Sequence, residues 1–399
     1  MKLVITLEHR FDCTTDGKVW TQTQFPYQFW VRYLEVFEQV CVVARVREVT
    51  TVPSDWKRAD GERVSFAPVP YYVGPWQFLQ HAREVKRAAT NAVGTEDAVI
   101  LRLGSTIASC IQPLLRKTGH PYGVEVVNDP YDVFAPGSVK HPLRPFLRWL
   151  SPRRLRRQCD RACAAAYVTQ YALQRRYPPS DRAFSTYYSD VELPDSAFVS
   201  APRQPKQGQQ TFTLIIVGTM AQLYKAPDVL IKAVAACVNE GLDLKLVLVG
   251  DGKYRSELEK LALELKLSER ACFLGQLTAG DTVRVQLDRA DLFVLPSHQE
   301  GLPRALVEAM ARGLPCIGST VGGIPELLAA EDMVAPGDVT ALASKIREVV
   351  TDAKRMACMS VRNLEKAKEY REEVLREKRI AFYRHVQAQT EAWLKAQAK

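Results

Sequence analysis

Residues 291–313 read Asp-Leu-Phe-Val-Leu-Pro-Ser-His-Gln-Glu-Gly-Leu-Pro-Arg-Ala-Leu-Val-Glu-Ala-Met-Ala-Arg-Gly, and they are the most informative stretch of the chain. The apolar run from Leu292 to Pro296 predicts a strand, and the polar residues after it predict a loop. A helix is predicted to begin at Pro303 and to stop at Gly313, because proline favours the first helical position and glycine the position past the last. Strand, glycine loop and helix together form the unit with which α/β folds present backbone N–H groups to a phosphate.

Two glutamates bracket the predicted start of this helix. Glu300 lies on the loop, and Glu308 lies about 1.5 turns into the helix, roughly 7–8 Å along its axis. This spacing allows one carboxylate to reach a sugar next to the phosphate and the other to reach a ribose on the far side.

The sequence around the two glutamates resembles the retaining glycosyltransferases of the GT-B fold, specifically family 4. The matching residues are Ser297-His298-Gln299-Glu300-Gly301-Leu302-Pro303, followed by Glu308-Ala309-Met310-Ala311-Arg312-Gly313. The resemblance implies transfer of a sugar from a nucleotide-diphosphate sugar with retention of the anomeric configuration. It also implies that Glu300 contacts the transferred sugar and that Glu308 contacts the ribose hydroxyls.

Composition sets the limits for this interpretation. The chain has 399 residues, of which 47% are hydrophobic and 25% are charged, which is typical of a soluble protein with two domains. No apolar run reaches the roughly 18 residues of a membrane-spanning helix, and the first apolar stretch meets Glu8-His9-Arg10 too early for a signal peptide. The nine cysteines are scattered without Cys-x-x-Cys pairs, which favours reduced thiols in a cytosolic protein.

The second half of the chain has the more regular pattern. Apolar strands alternate with helical patterns, which predicts a parallel, doubly wound sheet over residues 211–370. The resemblance covers residues 211–351 best and makes this the donor-binding domain. Ligands bind at the carboxyl ends of strands in such sheets, so we expect donor contacts at Gly218, Lys225, Gly250, Gly275, Leu277, Glu300, Gly301, Leu302 and Glu308.

The first half is also predicted to be α/β, with a Rossmann-like acceptor-binding domain over residues 1–195. We expect strands at Leu3–Leu7, Val40–Ala44, Ala98–Leu103, Val124–Val127 and Ala164–Val168, and helices at Phe25–Glu38, Pro75–Ala92, Thr106–Lys117 and Leu143–Gln158. Residues 194–210 have no periodic pattern and are predicted to link the domains. By resemblance to the GT-B fold, the two domains face a cleft, and a last helix over residues 371–399 crosses back to the first domain, with Phe382 and Trp393 as anchors.

The chemistry of a sugar-nucleotide donor requires positive charge. Negative charge develops on the diphosphate when the glycosidic bond breaks, and the protein must neutralise it with cations, N–H dipoles or a metal ion. Lys225 is the leading cation, because it follows a strand and precedes a helix that begins at Pro227. The N–H groups of Gly301, Leu302 and Arg304 are the other predicted donors. No Asp-x-Asp motif occurs at a strand end, so the sequence implies neither a bound metal nor another cofactor.

Two features depart from the family pattern. The family usually places an arginine two residues after the glycine of the first donor-domain turn, where it pairs with the diphosphate, but the chain has Gly218-Thr219-Met220 there. Arg10, Lys18 and Arg304 are the candidates for this missing cation. The first turn of the N-terminal half is predicted at residues 8–12, where relatives carry a glycine pair.

Asp129 has two interpretations. It follows the strand that ends at Val127, where its carboxylate is a candidate catalytic base or sugar ligand. Alternatively, Asp129 caps the turn before Pro130, which is a common role for aspartate in that position.

A basic segment lies between Lys140 and Arg161. It contains eight Lys or Arg residues and one acidic residue, with aromatic and leucine side chains interleaved. Such a segment suits an anionic membrane surface, whereas the alternative is a helix pair with a solvated basic face. No nucleic-acid-binding motif accompanies it, and the predicted membrane or acceptor patch consists of Arg148, Arg153, Arg154, Arg156 and Arg157.

These observations predict a cytosolic glycosyltransferase that associates peripherally with the inner face of the membrane. It would transfer a sugar from a UDP-sugar or GDP-sugar to a glycan or lipid-linked acceptor in the assembly of cell-surface polysaccharide. Two alternatives remain at this point. One is a different GT-B enzyme, such as a sugar-nucleotide epimerase, and the other is a non-catalytic relative that binds nucleotide or glycan as a partner subunit.

Overall fold

The protein consists of two α/β domains, each built on its own sheet. The computed structural model describes residues 1–22, 24–135, 142–191, 193–204, 208 and 210–398. The first sheet has nine strands and the second has six. This architecture agrees with the predicted pair of Rossmann-like domains.

The first sheet is parallel through its centre. Its strands are β1 Lys2–Thr14, β2 Val19–Thr21, β3 Gln39–Val49, β4 Lys57–Arg58, β5 Val64–Val69, β6 Ala98–Leu103, β7 Gly123–Val126, β8 Ala164–Tyr167 and β9 Phe184–Tyr187. Seven of them form a parallel sheet in the order β5-β3-β1-β6-β7-β8-β9. The short strands β2 and β4 are antiparallel and attach to the far end of β1.

The predicted turn at residues 8–12 is wrong. β1 does not end at Leu7 but continues to Thr14, with a register shift against β3 between Thr6 and Arg10. This irregularity absorbs the break in the apolar pattern, and Phe11 returns to the core with 1% of its surface exposed. The chain reverses only at Gly17, whose φ of 81° suits a tight turn.

Helices α1 to α6 belong to the first domain. They are α1 Tyr27–Val31, α2 Gly74–Asn91, α3 Thr106–Thr118, α4 Pro130–Val133, α5 Arg144–Asp160 and α6 Ala172–Arg176. The helix predicted at Phe25–Glu38 is instead the short α1 followed by a 3₁₀ turn at Arg32–Glu35. Trp30 on α1 and Tyr33 on the 3₁₀ turn are both buried in the core, where their ring centroids lie 6.2 Å apart.

The second domain has a strand order that defines its ligand edge. Its strands are β10 Thr211–Val217, β11 Asp243–Val249, β12 Ala271–Gly275, β13 Leu292–Leu295, β14 Cys316–Ser319 and β15 Met333–Val334. They pair in parallel in the order β12-β11-β10-β13-β14-β15. This is the doubly wound order in which the third strand lies at one edge and the direction of winding reverses between the first and fourth strands.

The helices of the second domain lie between its strands along the chain or come after the last of them. They are α7 Pro227–Asn239, α8 Arg255–Glu264, α9 Asp281–Arg289, α10 Arg304–Ala311, α11 Val339–Val350 and α12 Ala353–Ala367. Short 3₁₀ turns lie at Asp195–Ala197, Leu223–Lys225, Ile324–Glu326, Ala330–Asp332 and Lys368–Tyr370.

Part of the predicted linker is fixed to the second domain. The Arg203 guanidinium donates to the carbonyl oxygens of Leu287, Ala290 and Arg312, at 3.0, 2.6 and 2.8 Å. These carbonyls end helices α9 and α10, so Arg203 satisfies acceptors that a helix C-terminus leaves open. The chain is therefore anchored to the second domain before β10 begins.

The last helix, α13 Glu372–Gln397, packs on the first domain. Arg376 forms an ion pair with Glu35 there at 2.5 Å. The two predicted anchors are in contact with the first domain, because Phe382 is fully buried and packs beside Tyr188, and the Trp393 ring lies 4.5 Å from that of His120. Among the described residues, no helix combines the length and the apolar composition that crossing a bilayer requires.

Candidate active site

The two loops that carry the leading candidate residues meet where the winding of the second sheet reverses. β10 and β13 are neighbours in this sheet although two further strands lie between them along the chain. Connections leave such a pair in opposite directions, so a crevice opens at their carboxyl ends, and open α/β sheets bind ligands there. Lys225 follows β10 and Glu300 follows β13, and this topology brings both residues to the crevice.

Lys225 and Glu300 form an ion pair with each other. The lysine Nζ lies 2.7 Å from Oε1 and 2.9 Å from Oε2 of the glutamate. The exposed fractions of the two side chains are 15% and 6%, so the pair is largely shielded from water. The sequence predicts both residues at the donor site, and the structure adds that their charges are in direct contact.

Two serines hold the Glu300 carboxylate in place. The Ser297 hydroxyl donates to Oε1 of Glu300 at 2.7 Å, and the Ser319 hydroxyl donates to the carbonyl oxygen of Ser297 at 2.6 Å. Both serines are fully buried. Sequence reasoning gave neither a role, although Ser297 stands within the motif itself, whereas Ser319 ends a different strand and carries no local signal.

The backbone around Lys225 fixes the direction of its side chain. Lys225 ends a 3₁₀ turn, and Ala226 adopts a left-handed conformation with φ 52° before α7 begins. A Cβ atom on Gly218 would lie 3.1 Å from Cγ of Lys225, so the glycine leaves room for the lysine stem. The His298 N–H donates to the Tyr224 carbonyl at 2.7 Å and ties the Glu300 loop to the Lys225 loop.

Helix α10 begins one residue later than the sequence predicts. Pro303 has an extended backbone and precedes the first helical residue, Arg304. The N–H groups predicted to bind phosphate, those of Gly301, Leu302 and Arg304, lie at this helix start, where the first turn of any helix leaves donors without helical acceptors. A helix N-terminus of this kind favours an anion.

Glu308 lies half-buried on α10 beyond this start. Burial raises the pKa of the Glu308 carboxyl group, and the positive charges of Arg304 and Arg284 act in the opposite direction. The carboxylate therefore shares its surroundings with two cations of the donor domain. Its contact with a ribose stays a prediction.

The glycines predicted at the nucleotide edge lie where neighbouring loops touch. The Gly250 N–H donates to the Gly275 carbonyl at 2.8 Å, and a Cβ on Gly250, which has φ 135°, would lie 1.9 Å from the Gly218 carbonyl oxygen. Any side chain at position 250 would therefore separate the loops after β10 and β11. Leu277 follows on the loop after β12 and packs partly against the core.

The three candidates for the missing diphosphate cation lie in different places. Lys18 forms an ion pair with Asp16 at 2.6 Å in the hairpin turn of the first domain. Arg10 is exposed on β1. Of the three, only Arg304 lies on the loop and helix that carry Glu300 and Glu308, and its side chain is exposed there.

The structure gives Asp129 the capping role. Its Oδ1 accepts from the Tyr131 N–H at 2.8 Å at the start of α4, and its carboxylate also bonds with the Tyr177 hydroxyl and with the Arg176 guanidinium. Asp129 is 6% exposed, and these contacts all lie within the first domain. The role of Asp129 as a base or sugar ligand stays a prediction.

The basic segment forms α5, whose exposed apolar residues and whose buried residues lie in different halves of the helix. Its start exposes Leu143, Phe146 and Trp149, and the two rings stack at 6.0 Å. The buried residues Leu155, Gln158 and Cys159 come from its second half. α5 is therefore not a simple amphipathic helix, and it presents an aromatic end followed by a basic stretch. Lys140 lies outside the described residues.

The arginines of the predicted patch differ in the contacts that their guanidinium groups make. The Arg148 guanidinium lies 4.0 Å from the Tyr131 ring centroid, and that of Arg153 lies 4.4 Å from the Trp149 ring centroid. Arg156 donates twice to the Arg176 carbonyl, at 3.1 and 2.8 Å, and so fastens α5 to the end of α6. Arg154 and Arg157 are exposed.

The second domain is an α/β domain suited to a ligand that carries a diphosphate. Its sheet order opens a crevice, and the Lys225–Glu300 ion pair and the N-terminus of α10 both lie there. Residues 200–367 match the family described as glycosyl transferases group 1. The protein CapJ of Staphylococcus aureus is 26% identical over 328 residues, which cover 82% of this chain and 81% of CapJ. A GDP-mannose-dependent monoacylated alpha-(1-6)-phosphatidylinositol monomannoside mannosyltransferase of Corynebacterium glutamicum is 32% identical over 213 residues, which cover 48% of this chain and 54% of that protein.

The overall fold also agrees with solved structures. The crystal structure of Anabaena HepE in complex with UDP and glucose aligns with 96% of this chain and 98% of its own, with a TM-score of 0.63 at 16% identity. This likeness covers both domains and shows the GT-B fold. The second domain is therefore similar to the group 1 glycosyltransferases, and the chain as a whole has the GT-B fold.

Proposed function

We propose that this protein is a retaining glycosyltransferase of family 4 that works without a metal ion. It transfers a sugar from a UDP-sugar or GDP-sugar to a glycan or lipid-linked acceptor in the biosynthesis of cell-surface polysaccharide. The observation that carries the proposal is the Lys225–Glu300 ion pair at the switch point of the donor-domain sheet, beside the N-terminus of α10.

The charges of this pair match the two ends of the bond that breaks. When the bond between the anomeric carbon and the diphosphate oxygen breaks, the diphosphate gains negative charge and the sugar gains positive charge. Lys225 and the N–H groups at the start of α10 stabilise the diphosphate, and the Glu300 carboxylate stabilises the sugar. Fixed positive groups at this position supply the neutralisation that a metal ion supplies elsewhere, which supports a metal-independent reaction.

The donor is a nucleotide-diphosphate sugar with its ribose at Glu308. The half-buried Glu308 carboxylate belongs to the fifth residue of α10, about one helical turn beyond the proposed phosphate site, a distance that suits ribose hydroxyls. HepE binds UDP and glucose, and the Corynebacterium relative is GDP-mannose-dependent. These two relatives support uracil or guanine as the base.

We propose that the protein meets its acceptor at the anionic inner surface of the cell membrane. α5 exposes Phe146 and Trp149 beside its arginines, and α2 exposes Trp76 and Leu79 near its own start. Exposed aromatic side chains together with arginines suit the headgroup region of an anionic bilayer. The name of the Corynebacterium relative includes a phosphatidylinositol acceptor, which supports a lipid-linked acceptor here.

Thermal unfolding with UDP, GDP and ADP, each with and without EDTA, tests this proposal. A nucleotide at 100 times its dissociation constant adds about 2.7 kcal/mol to the free energy of unfolding, which raises the melting temperature by about 2–4 °C. We expect UDP or GDP to stabilise the protein equally in both buffers. Stabilisation that EDTA removes would contradict the metal-free site, and no stabilisation by any of the three would contradict the donor site.

A further inference from the structure

A carboxylate of the donor domain crosses to the first domain and binds three of its backbone N–H groups. Oε1 of Glu326 accepts from the N–H groups of Tyr171 and Ala172, at 2.9 and 2.6 Å, and Oε2 accepts from that of Gln170 at 2.5 Å. Glu326 belongs to the 3₁₀ turn after β14 of the second sheet, and the three N–H groups follow β8 of the first sheet. These bonds therefore join the two domains.

The three N–H groups are donors that need an acceptor. Tyr171 and Ala172 begin helix α6, and the first N–H groups of a helix have no acceptor within it. A carboxylate is a strong acceptor for such donors, because its charge shortens and strengthens each bond. Without these bonds, the N–H groups would have to be hydrated instead, which favours separation of the domains.

The turn that carries Glu326 also contacts the turn that carries Glu300. The Gly323 N–H donates to the Gly301 carbonyl at 2.7 Å. On its other side, Gly301 touches the first domain so closely that a Cβ atom there would lie 2.4 Å from the carbonyl oxygen of Val127. The Glu300–Gly301 turn is thus enclosed between the end of β7 and the turn that Glu326 fastens.

We propose that Glu326 is a positioning residue that holds the two domains together across the cleft and, through Gly323 and Gly301, holds Glu300 facing the acceptor. Glu326 does not touch the reacting atoms. The inference rests on the proposed role of Glu300, and it predicts that Glu326 affects turnover much more than nucleotide binding, since the proposed nucleotide contacts belong to the second domain.

The test compares Glu326→Ala and Glu326→Gln with wild type, and with Glu331→Ala as the matched control. Glu331 lies five residues further on and is 62% exposed, and its carboxylate pairs at 2.9 Å with Arg362 of the same domain, so its loss leaves the cleft untouched. Turnover is measured as kcat and KM with a UDP-sugar or a GDP-sugar, according to which nucleotide stabilises the protein against heat. The other two measurements are the dissociation constant of that nucleotide and the radius of gyration from small-angle X-ray scattering.

We expect Glu326→Ala to lower kcat at least tenfold, to change the nucleotide dissociation constant less than threefold, and to increase the radius of gyration. Glu326→Gln keeps the shape and one acceptor oxygen, so it should lower kcat by a smaller factor, and it carries the test if the alanine variant fails to fold. Turnover in both variants within twofold of wild type, or an equal loss of turnover and nucleotide affinity, would overturn the proposal.

Failure of the proposed reaction gives a different pattern. If wild type itself transfers no sugar, the proposed function fails, and the scattering measurement alone decides whether Glu326 holds the domains together. An unchanged radius of gyration in Glu326→Ala would then overturn the positioning role as well.

Discussion

The Nζ atom of Lys225 lies within 2.9 Å of both carboxylate oxygens of Glu300, although 75 residues separate the two along the chain. Without a donor, the two charges neutralise each other in a site that is nearly closed to water. In the proposed reaction, a bound diphosphate competes with Glu300 for the Lys225 ammonium group and so frees the carboxylate to face the sugar. In that reaction, donor binding and the exposure of the Glu300 carboxylate are coupled through this ion pair.

Lys225→Met should weaken the binding of a nucleoside diphosphate by at least tenfold while leaving the binding of the nucleoside nearly unchanged. Methionine keeps the length of the stem but removes the charge that attracts the diphosphate, and a hydrogen bond to a charged group contributes about 1.5–3 kcal/mol. Calorimetric titration with UDP and uridine, or GDP and guanosine, measures both affinities.

Lys232→Met provides the control, because Lys232 belongs to the same loop–helix unit but is 46% exposed and pairs only with Asp228 at 3.7 Å. Equal losses of nucleoside and diphosphate affinity in Lys225→Met would show that the lysine does not act on the diphosphate.

Much of the donor domain can be predicted from the sequence because its signals are local. Pro303 and Gly313 mark the ends of α10 within one or two residues, and the alternating pattern predicts a doubly wound sheet. Once that sheet is assumed, the switch-point rule places the turns of Lys225 and Glu300 side by side. Their roles, however, came from resemblance to a family rather than from spacing.

The contacts that escaped prediction depend on residues far apart in the chain. Ser319 reaches Ser297 from another strand, and Glu326 reaches Gln170 across the cleft. Such bonds depend on how strands or domains are placed relative to each other, and no periodic pattern encodes that placement. Asp129 illustrates the same limit, because its partners Arg176 and Tyr177 lie 47 and 48 residues further along the chain and no local pattern predicts these contacts.

The stability of the protein should fall as the pH falls from about 6.5 to 4 because of His9. Burial, followed by the positive charges of Arg10 and Arg45, lowers the pKa of His9 to about 4, whereas an unfolded histidine has a pKa of about 6.5. In that interval the unfolded chain binds a proton that the folded chain does not, so protonation favours unfolding.

The size of this effect follows from the two pKa values. Between pH 7 and pH 5 it amounts to about 2 kcal/mol, and His9→Gln should remove it from the pH dependence measured by urea denaturation. His81→Gln is the control, because His81 is 45% exposed on α2. A His9→Gln variant with the same pH dependence as wild type would contradict a buried, neutral His9.

Replacing Arg153, Arg154 and Arg157 with glutamine should weaken binding to vesicles that contain phosphatidylglycerol. Each arginine near an anionic surface contributes about 1 kcal/mol, so the triple variant should lose roughly a hundredfold in affinity at low salt. Arg156 is left in place because its two bonds to the Arg176 carbonyl hold α5 against α6. Cosedimentation with vesicles measures the change.

A triple variant of Lys260, Lys266 and Arg289 removes the same charge from exposed positions of the second domain. It should bind vesicles nearly as wild type does. If the two triple variants lose affinity to the same extent, the attraction comes from net charge, and the proposed α5 surface is wrong.

The most direct test of the account is turnover by Glu300→Gln. Release of UDP or GDP from the donor sugar is measured in the presence of acceptor, together with the dissociation constant of the free nucleotide, and Glu331→Gln serves as the control because Glu331 is 62% exposed and lies away from the crevice. Glutamine keeps the size of the side chain and an oxygen for Ser297 but removes the negative charge next to the sugar. The account predicts that turnover falls by at least a hundredfold while nucleotide affinity stays within a few fold of wild type. Turnover close to that of wild type would contradict the role of Glu300 and, with it, the assignment of the Lys225–Glu300 pair as the centre of the reaction.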